Sequence, residues 1–440
     1  MSDRIELKKA KKLKGEIIPP SDKSISHRAI MLAAIAKGKS IVKNFLMAED
    51  PLSTMNAFRK LGVEIEEGRG QGAGNSVIIS GRGIQGLKEP FDVIDCGNSG
   101  TTVRLLSGIL AGNPFLSVLT GDNSLKQRPM ARVINPLKEM GAEISARGSD
   151  KYLPIAIKGR KLKAIDYTMP VASAQVKSCL MLAGLYADGT TTITEPQKSR
   201  DHTERMLKSM GADIDTDGLK VRVKGLVGSG GKELNSLDIT VPADFSSAAF
   251  FIVAVLLVPD SEILIKNVGI NPTRTGLLDV LEKMGADIEL INVRDVSGEP
   301  VADIHCKSAA GLKAINITKE QIPALIDEFP ILCIAAAKAD GITTIRGAEE
   351  LRVKESDRIK AMAEGLKKMG VEVEEFKDGL SIKGNARLKG AVIESCGDHR
   401  IAMAFSIAAL VASGTTKING ISAVNISFPG FYKMLKGLTK

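Results

Sequence analysis

The chain carries the stretch Phe-Arg-Lys-Leu-Gly-Val-Glu-Ile at residues 58–65, and its pattern returns at 137–144, 207–214, 281–288 and 366–373. Each copy joins the apolar end of a helix-like segment to a glycine and then to alternating residues. Glycine in this position is typical of a left-handed helix cap, and the alternation behind it predicts a strand. We therefore predict an α/β protein built from repeats.

The spacing of these copies sets the size of the repeat. They lie about 70 to 85 residues apart, so each repeat must hold several helices and strands. The segment 431–438 fits a sixth, truncated copy. Between copies, a polar loop opens an apolar helix six times, beginning near residues 24, 100, 173, 246, 329 and 398. Six loops and six helix ends predict six repeats.

The two halves of the chain contain a similar motif. Pro-Ser-Asp-Lys-Ser at 20–24 has a counterpart in Pro-Ala-Asp-Phe-Ser at 242–246, and a β-like stretch precedes both. We predict two domains of three repeats each, residues 21–241 and residues 1–20 plus 242–440. The counterpart lacks the cations of Lys23 and Arg28, so only one half keeps this charge cluster. A ligand is expected in the cleft between the domains, where loops of both halves can face it.

The charge of the chain favours small anionic ligands. The formal net charge is +9, from 60 Lys and Arg against 51 Asp and Glu, and it is spread along the chain. Aromatic residues make up only 4% and there is no tryptophan, whereas nucleic-acid binding usually shows aromatic stacking or a basic run. Small polyanions are therefore the favoured ligands, and nucleic acid is not an expected partner.

The cysteine and hydropathy patterns indicate where in the cell the protein is expected. The five cysteines form no CxxC pair and are odd in number, which argues against a disulfide framework or a zinc site. The longest apolar run, 248–258, is too short to span a bilayer, and the first residues carry charges where a signal peptide would be apolar. We expect a cytoplasmic protein with no membrane role, no metal and no cofactor. Nothing demands a subunit interface, so a monomer is expected.

The first polar loop is typical of an anion site. Lys23, Ser24 and Arg28 stand where an apolar helix begins, and that helix is expected to run to about Lys37 and stop at Gly38. A helix start presents unpaired N–H groups and the positive end of the dipole. Residues four apart share a helix face, so a hydroxyl and a guanidinium can converge on one ligand. The alternative is Ser24 as an ordinary N-cap beside solvated cations.

Three more loops of the first half offer neutral donors and cations. Residues 95–104 form a Gly-rich turn into a helix that ends at Gly112, and it is not a Walker loop because no GK[ST] follows. Arg128 precedes a proline and should lie in extended backbone. Ser173, Ala174 and Gln175 open the next helix with uncharged donors. The alternative for each loop is an ordinary turn or surface cation.

Two charged residues near these loops have structural alternatives. Lys177 is expected to be a solvated helix residue. The segment 199–205 has a capping-box-like Thr203 and reads by default as a charged helix start, in which Arg200 is the candidate ligand-binding residue.

The second half supplies carboxylates. Asp327 lies at the mouth of an apolar helix at 331–337, where burial can raise a carboxylate pKa and suit it to general-base work. Glu355 is flanked by Lys354 and Arg358, which are predicted to share one helix face. Arg400 lies where the helix 401–411 opens. Singly, such charge-dense turns are usually solvated surface. At equivalent points of a repeat they indicate a site.

Together these motifs resemble the 5-enolpyruvylshikimate-3-phosphate synthase family. The resemblance covers essentially the whole chain, in order, and rests on seven motifs: Lys23-Ser24 with Arg28, residues 97–102, Arg128-Pro129, residues 173–175, residues 327–330, Lys354-Glu355 with Arg358, and residues 398–400. Residues 173–178 and 199–204 look like the second, often less glyphosate-sensitive, class of the family. Gly100 looks like the glyphosate-sensitive form of its loop, so sensitivity is left open.

The resemblance implies a fold and a reaction. The fold is a two-domain inside-out α/β barrel, in which each domain holds three βαβαββ repeats and the chain crosses near Pro20 and Pro242. The implied reaction transfers the enolpyruvyl group of phosphoenolpyruvate to the 5-hydroxyl of shikimate 3-phosphate and releases phosphate through a tetrahedral intermediate. This places the chain in chorismate and aromatic amino acid biosynthesis. No metal or organic cofactor is implied.

The resemblance also implies residue roles. Shikimate 3-phosphate would be held by Lys23, Ser24, Arg28, Ser173, Gln175 and Arg200. Phosphoenolpyruvate would be surrounded by Gly100, Arg128, Gln175, Arg358 and Arg400, with Lys23 shared between both ligands. Ala174, Asp327 and Lys354 complete the substrate-binding set. Asp327 would be the base, Glu355 the proton donor, and Lys23 would stabilise the developing charge.

One stretch departs from the family pattern. Relatives commonly carry a lysine shortly before a Ser/Thr-Phe-Pro near the C-terminus, where this chain has Asn425. Lys433 is a candidate substitute for that lysine, but it is not part of the predicted site. The departure is the sole support for an inactive homologue.

Two further alternatives stay open. The nearest is the enolpyruvyl transferase that acts on UDP-N-acetylglucosamine, but residues 123–130 lack its loop cysteine and Lys23-Ser24 replaces its Lys-Asn start. The other is a basic nucleic-acid-binding or scaffold protein of repeat type.

Overall fold

A computed structural model describes residues 3–69, 75–227 and 233–439. The chain divides into two compact units. The first unit comprises Ser21–Val241 with Val296–Gly298, and the second comprises Met1–Pro20, Pro242–Asp295 and Glu299–Lys440.

The strands follow in chain order: β1 (Arg4–Lys8), β2 (Lys14–Ile17), β3 (Lys37–Lys43), β4 (Glu64–Arg69), β5 (Asn75–Arg82), β6 (Ile94–Asp95), β7 (Leu116–Thr120), β8 (Glu143–Ala146), β9 (Tyr152–Lys158), β10 (Leu162–Lys163), β11 (Asp166–Thr168), β12 (Ala187–Asp188), β13 (Thr190–Thr194), β14 (Ile214–Asp217), β15 (Lys220–Lys224), β16 (Asp238–Thr240), β17 (Glu262–Gly269), β18 (Ile288–Val296), β19 (Glu299–Lys307), β20 (Asn316–Ile317), β21 (Ile342–Ile345), β22 (Val373–Phe376), β23 (Gly379–Lys383), β24 (Val392–Glu394) and β25 (Thr415–Asn419).

The α-helices are α1 (Lys23–Ile35), α2 (Glu49–Lys60), α3 (Gly100–Ala111), α4 (Ala131–Glu139), α5 (Arg147–Asp150), α6 (Ala174–Gly184), α7 (His202–Ser209), α8 (Phe245–Leu257), α9 (Gly276–Lys283), α10 (Ile322–Leu325), α11 (Phe329–Lys338), α12 (Arg358–Lys368), α13 (His399–Ala409) and α14 (Phe431–Leu438). Short 3₁₀ helices cover Leu125–Gln127, Glu349–Val353 and Ile421–Ile426.

One sheet pattern recurs through the chain. A first strand lies parallel to a second, a third lies antiparallel beside the second, and a fourth completes the edge. The first unit holds the sheets β16-β3-β5-β4, β6-β7-β9-β8 and β11-β13-β15-β14. The second unit holds β2-β17-β19-β18, β20-β21-β23-β22 and the three-stranded β24-β25-β1. With the helices between them, these sheets make three repeats in each unit, which confirms the predicted fold class. Five are complete βαβαββ repeats, and in the described part of the chain the sixth is one strand shorter.

Three strands come from distant parts of the chain. β16 lies parallel to β3 and supplies the first strand of the repeat that begins at α1. β2 does the same for the repeat that begins at α8, through its pairing with β17. β1 is the third strand of the last repeat, because it pairs antiparallel with β25. The ends of the chain segments are thereby tied into the sheets of each unit.

Each unit packs its most apolar helices at its centre. In the first unit these are α1, α3 and α6, and in the second they are α8, α11 and α13, and nearly every residue in them is buried. A helix that is apolar on all sides must be covered on all sides, which puts these helices inside and the sheets outside. The remaining long helices expose one polar face.

The repeated glycines have the predicted conformation. The five glycines of the repeated stretch have φ angles between 83° and 101°, in the left-handed region: Gly62, Gly141, Gly211, Gly285 and Gly370. α1 differs in length from the prediction. It ends at Ile35 because β3 already begins at Lys37, and Gly38 lies inside that strand. Among the described residues, no helix combines the length and the apolar character needed to cross a membrane.

Candidate active site

The start of α1 is built around Arg28. The helix is capped by Asp22, whose Oδ1 accepts from the N–H of Ile25 at 2.8 Å. Ser24 therefore lies inside the first turn, and the alternative that made it the N-cap is wrong. Buried Arg28 donates to the Ser24 carbonyl at 3.0 Å. Its other nitrogens reach Thr203 Oγ1 at 2.7 Å and Ser178 Oγ at 2.9 Å.

These contacts join three helices of the first unit. Thr203 belongs to α7, where Asp201 holds the N-cap position, so the predicted capping role of Thr203 is wrong. Its hydroxyl instead contacts Ser178 of α6 at 2.7 Å and accepts from Arg28. Arg200, just before α7, donates to Ser24 Oγ at 3.4 Å. The structure thus brings Ser24, Arg28 and Arg200 together.

Lys23 has a carboxylate partner that the sequence did not indicate. Its Nζ lies 2.9 Å from Oδ2 of Asp50, a buried residue in the first turn of α2. The other oxygen, Asp50 Oδ1, is buried and makes no hydrogen bond within the described part of the chain. Acids are common in the first turn of a helix, so no local signal singled out Asp50.

Gly100 and Gln175 meet through Arg104. Ser99 caps α3 and Ser173 caps α6, which places Gly100 and Gln175 in the first turns of these helices. Arg104 Nη1 donates to Gln175 Oε1 at 2.6 Å, and Gln175 Nε2 donates to Thr101 Oγ1 at 3.0 Å. Arg104 was not among the site residues predicted from the sequence, although its i+4 spacing from Gly100 puts it on the same helix face.

Arg128 lies beside the same loop. Its backbone is extended, with φ −79° and ψ 140°, as the following proline predicted. The guanidinium donates to the carbonyl and side-chain oxygens of Asn98, at 3.1 and 2.6 Å. A Cβ on Gly100 would lie 3.5 Å from Arg128 Nη1 and 2.9 Å from Arg104 Nη1. The absence of a side chain at Gly100 therefore leaves room for both guanidinium groups.

The first unit thus carries predicted site residues in the first turns of α1, α3 and α6, and Arg128 and Arg200 on loops that contact them. We call this set the first cluster, and its predicted members are Lys23, Ser24, Arg28, Gly100, Arg128, Ser173, Ala174, Gln175 and Arg200. Three helix N-termini and several guanidinium groups favour anions such as phosphate and carboxylate.

Lys177 corrects another expectation. It was predicted to be solvated, but only 1% of its side chain is exposed. Its Nζ lies 2.8 Å from Glu195 Oε1 and 2.6 Å from Glu204 Oε1. Burial raises the pKa of Glu204 above its usual value, and Lys177 counteracts that rise. We call Lys177, Glu195 and Glu204 the buried triad. It ties α6 to the segment that carries Arg200.

In the second unit, Arg358 joins three carboxylates. It begins α12, which Asp357 caps, and its side chain is only 1% exposed. Nη2 lies 2.7 Å from Glu355, Nε 2.8 Å from Asp398 and Nη1 3.5 Å from Asp327. Burial alone would lower the pKa of Arg358, but the three carboxylates hold it above its usual value. Arg358 therefore stays charged.

Asp327 lies between two guanidinium groups. Besides Arg358, it meets Arg400, whose Nη2 is 3.7 Å from its Oδ2 and whose Nη1 donates to its carbonyl at 2.8 Å. Arg400 belongs to the first turn of α13, which Asp398 caps. Asp327 and Glu355 remain partly exposed, at 15% and 17%. Both carboxylates can therefore meet a ligand while Arg358 positions them.

Glu328, next to Asp327 in the chain, is a buried carboxylate. Its side chain is 1% exposed, and burial raises its pKa above the usual value while Arg400 and Arg274 counteract the rise. From the sequence, a raised pKa was predicted for Asp327 instead. Ser246 Oγ donates to Glu328, and Arg274 donates to Ser246 Oγ at 2.8 Å.

Arg274 supplies a cation beside the helix start in the second half of the chain. The second half was predicted to lack a cation at the helix start near Asp244. Arg274 fills that place from between β17 and α9, with Nη2 3.1 Å from Asp244 Oδ1. The two residues are 30 positions apart, so the helix-start motif gave no signal for the pair.

The second cluster comprises Asp327, Glu355, Arg358 and Arg400 together with the buried Glu328, Arg274, Asp398 and Ser246. Lys354 was predicted to share a helix face with Arg358, which is wrong. It follows the 3₁₀ helix Glu349–Val353 and precedes α12. Among residues 3–69, 75–227 and 233–439, no group of three or more His, Cys, Asp or Glu side chains is arranged to hold a metal.

The stretch with Asn425 belongs to the core of the second unit. Residues Ile421–Ile426 form a 3₁₀ helix, and the following Phe428 is buried. The rings of Phe251 and Phe431 lie 6.0 and 5.4 Å from it, in edge-to-face contacts. Apolar packing therefore fixes this segment.

Known proteins match the chain along its length. The family model for EPSP synthase (3-phosphoshikimate 1-carboxyvinyltransferase) matches residues 7–435. The 3-phosphoshikimate 1-carboxyvinyltransferase of Thermodesulfovibrio yellowstonii is 58% identical over 434 residues, 99% of both chains. That of Citrifermentans bemidjiense is 54% identical over 433 residues, 98% of both chains.

Solved structures agree with this result. The EPSP synthase of Acinetobacter baumannii has a TM-score of 0.86 and 48% identity, covering 99% of this chain and 98% of that one. The enolpyruvyl transferase NikO of Streptomyces tendae has a TM-score of 0.79 at 17% identity, covering 100% of this chain and 98% of that one, which is a likeness of fold. The family model and the full-length identities lead to one conclusion: the chain belongs to the EPSP synthase family.

Proposed function

We propose that the chain transfers the enolpyruvyl group of phosphoenolpyruvate to the 5-hydroxyl of shikimate 3-phosphate. In the addition step, the 5-oxygen bonds to C2 of phosphoenolpyruvate, the hydroxyl loses its proton and C3 gains one. In the elimination step, C3 loses a proton and phosphate leaves. The products are 5-enolpyruvylshikimate 3-phosphate and phosphate. The observation that carries the proposal is family membership across residues 7–435.

The first cluster supplies the binding of shikimate 3-phosphate in this proposal. The phosphate and hydroxyl groups of that substrate need cations and neutral donors. Lys23, Ser24, Arg28 and Arg200 provide them at the start of α1, and Ser173, Ala174 and Gln175 provide them at the start of α6. Arg28 is held by Thr203 and Ser178, so it also fixes where Ser24 lies. Lys23 is assigned to both substrates.

Phosphoenolpyruvate carries a carboxylate and a phosphate, which suit forked guanidinium donors. We assign Arg128 and Gly100 of the first unit to it, together with Arg358 and Arg400 of the second. Gln175 is assigned to both substrates, and Lys354 is kept as a further cation. The two clusters thus serve one reaction.

Asp327 and Glu355 carry the proton transfers in the proposal. Both are partly exposed carboxylates, and both contact the buried Arg358, which sets their positions. Asp327 takes the proton of the 5-hydroxyl, and Glu355 delivers a proton to C3. The roles can exchange when the intermediate collapses. Lys23 stabilises charge through preorganised electrostatics.

The test is an assay of phosphate release. Purified protein is mixed with phosphoenolpyruvate and either shikimate 3-phosphate or UDP-N-acetylglucosamine. Release that depends on shikimate 3-phosphate supports the proposal, and release that depends on the other acceptor replaces it. No release with either acceptor supports an inactive homologue and turns attention to Asn425.

We extend the proposal to inhibition, location and assembly. Glyphosate is proposed as an inhibitor, because Gly100 resembles the glyphosate-sensitive form of its loop and the missing side chain lets Arg104 and Arg128 lie against it. Inhibition competitive with phosphoenolpyruvate would support this, and no effect at millimolar concentration would oppose it. A cytoplasmic location and a monomer are also proposed. Light scattering after size-exclusion chromatography tests the monomer, and fractionation of the source cells tests the location.

A further inference from the structure

The sixth sheet is one strand shorter than the other five. The five four-stranded sheets all end in a fourth strand that lies beside the third, and these are β4, β8, β14, β18 and β22. In the described part of the chain, the sixth sheet has the order β24-β25-β1, so its third strand, β1, is an edge. An edge strand presents backbone N–H and C=O groups to a further strand.

The five fourth strands each contain at least one acidic residue. Acids stand beside apolar residues in Glu-Ile-Glu-Glu at 64–67, Ile-Asp-Thr-Asp at 214–217 and Val-Glu-Glu-Phe at 373–376. In β4, β8 and β14, an acid pairs with an arginine on or just beyond the third strand. Glu64 lies 3.4 Å from Arg82, Asp215 lies 2.6 Å from Arg222, and Glu143 pairs with Arg160. In these three repeats an arginine of the third strand or its end meets an acid of the fourth strand, whereas in the repeat of β17–β19 the signs are reversed, with Arg294 of β18 3.9 Å from Asp303 of β19.

The sixth repeat keeps the basic side of this arrangement. A groove of about 960 Å³ runs beside residues 5–11 and is walled by α14. Five lysines line it, namely Lys8, Lys9, Lys11, Lys433 and Lys436, and all five are exposed. The lining has one acid, Glu6, which is already paired with Lys417 at 2.9 Å. The groove is therefore strongly cationic.

The apolar residues of β1 are also less covered than their counterparts. Ile5 and Leu7 are only partly buried. The corresponding inward residues of other third strands are fully buried, at 0% exposure for Ile79, Ile155 and Ile382. In other repeats the fourth strand also packs on the second helix, as β22 packs on α12 and β4 on α2. In the sixth repeat the second helix is α14, and its Leu435 and Tyr432 line the groove where a fourth strand would pack.

We propose that this groove binds an extended acidic segment of a partner protein, which adds antiparallel to β1 as the fourth strand of the sixth repeat. The segment combines apolar and acidic residues, like the fourth strands β4, β14 and β22. Main-chain hydrogen bonds to β1 hold it, its apolar side chains cover Ile5 and Leu7, and its acids meet the five lysines. A second copy of this chain is disfavoured, because β1 would bring Arg4 and Lys8 to the same lysines.

The first test uses a peptide copied from the chain. The probe is fluorescein-labelled Val-Glu-Val-Glu-Glu-Phe, the sequence of residues 371–376, added to the full chain. One control peptide carries lysine in place of each glutamate, and another has alternate backbone nitrogens methylated. Fluorescence anisotropy should show at least tenfold weaker binding for both controls. Equal binding of the methylated peptide would overturn strand addition, and equal binding of the lysine peptide would overturn charge recognition.

The second test locates the peptide. Lys9→Glu combined with Lys433→Glu should weaken binding at least tenfold, while the matched pair Lys283→Glu and Lys377→Glu, at exposed lysines outside the groove, should leave it unchanged. Hydrogen exchange should slow at Arg4–Lys8 when the peptide is present. Protection of these amides without peptide, together with a dimer by light scattering, would replace the partner with a second copy. Unchanged binding by the Lys9/Lys433 variant would overturn the proposal.

Discussion

Asp327 is held by charge from two directions. Arg358 and Arg400 both contact its carboxylate, so the side chain is oriented before any substrate arrives. The neighbouring Glu328 is buried and contacts Ser246 and Arg400. Two adjacent acids thus have different surroundings: Asp327 meets solvent, and Glu328 supports the arginines.

The role of Asp327 predicts a kinetic effect of its replacement. Asp327→Asn keeps the shape of the side chain but removes the proton acceptor, so kcat should fall by about 10²–10⁴. The KM for shikimate 3-phosphate should change far less. Steady-state phosphate release measures both, with the exposed Glu320→Gln as control. A kcat near that of the unchanged protein would remove Asp327 from the role of base.

The close packing around Gly100 predicts that its replacement weakens the use of phosphoenolpyruvate. In Gly100→Ala the new Cβ would lie 2.9 Å from Arg104 Nη1, so this guanidinium must move, and its hydrogen bond to Gln175 must move with it. We expect the KM for phosphoenolpyruvate to rise about tenfold, or about 1.4 kcal/mol. Gly437→Ala, where an added Cβ has nothing within 4 Å, is the control. An unchanged KM would exclude this packing argument.

Among the elements, α6 is held in the buried interior of its unit by ion pairs of Lys177. Lys177 lies one turn from Ser173 and Ala174, and it reaches Glu195 beyond β13 and Glu204 on α7. Because the buried triad and the Arg28 contacts fix α7, the position of Arg200 depends on both.

Loss of the lysine should be costly. Lys177→Met leaves two buried carboxylates without their cation, and we expect the free energy of unfolding to fall by about 3–5 kcal/mol. Adding Glu204→Gln should restore part of it, because one of the two acids is then neutral. Urea unfolding measures this, and Lys208→Met on the exposed side of α7 serves as control. A loss below about 1 kcal/mol would show that the triad does not stabilise the unit.

Buried His27 in α1 should make the stability of the protein depend on pH. His27 is fully buried, and burial together with Lys23 and Arg28 holds its pKa well below the usual value. Below a pH of about 6.5 the unfolded chain takes up a proton that the folded chain does not. The free energy of unfolding should therefore fall by up to about 1.4 kcal/mol per pH unit as the pH drops. His27→Asn should flatten this slope. An unchanged slope would assign it to other groups.

The sequence predicts the elements better than their partners. The glycine after each helix end marks a conformation that few other residues adopt, which is why the five caps and the six repeats could be predicted. The surroundings of a side chain depend on distant segments. Nothing local to Lys177 indicates that Glu195 and Glu204 enclose it, and nothing local to Asp327 and Glu328 says which of the two is buried. Arg274 likewise comes from another loop.

At the scale of the whole molecule, the sheets of one unit come from one continuous stretch of chain, and those of the other come from two separate stretches. The three four-stranded sheets of the first unit are complete within residues 21–241, because β16 is the last strand before Pro242. The second unit needs the first 20 residues for β1 and β2 as well as the second half of the chain. Only one of the units can therefore be cut out as a single piece.

This difference predicts that residues 21–241 fold alone. The fragment should give a cooperative urea transition and helical circular dichroism, because its central helices keep all their covering sheets. Residues 242–440 alone should not, since β17 and β25 would each lose a partner strand. Two fragments that both unfold without cooperativity would contradict the prediction.

The pairing of β1 and β2 with strands late in the chain also sets the order in which the two units fold during synthesis on the ribosome. β2 pairs with residues near 262–265, and β1 with residues 415–419, so both must wait until most of the chain has been made. At roughly 5–20 residues per second, β1 waits on the order of 20 to 80 seconds. During that time the segment 21–241 can fold, while the emerging N-terminal strands remain without partners. The lysines at positions 8, 9, 11, 12 and 14 keep that waiting segment hydrated and discourage it from pairing with another nascent chain.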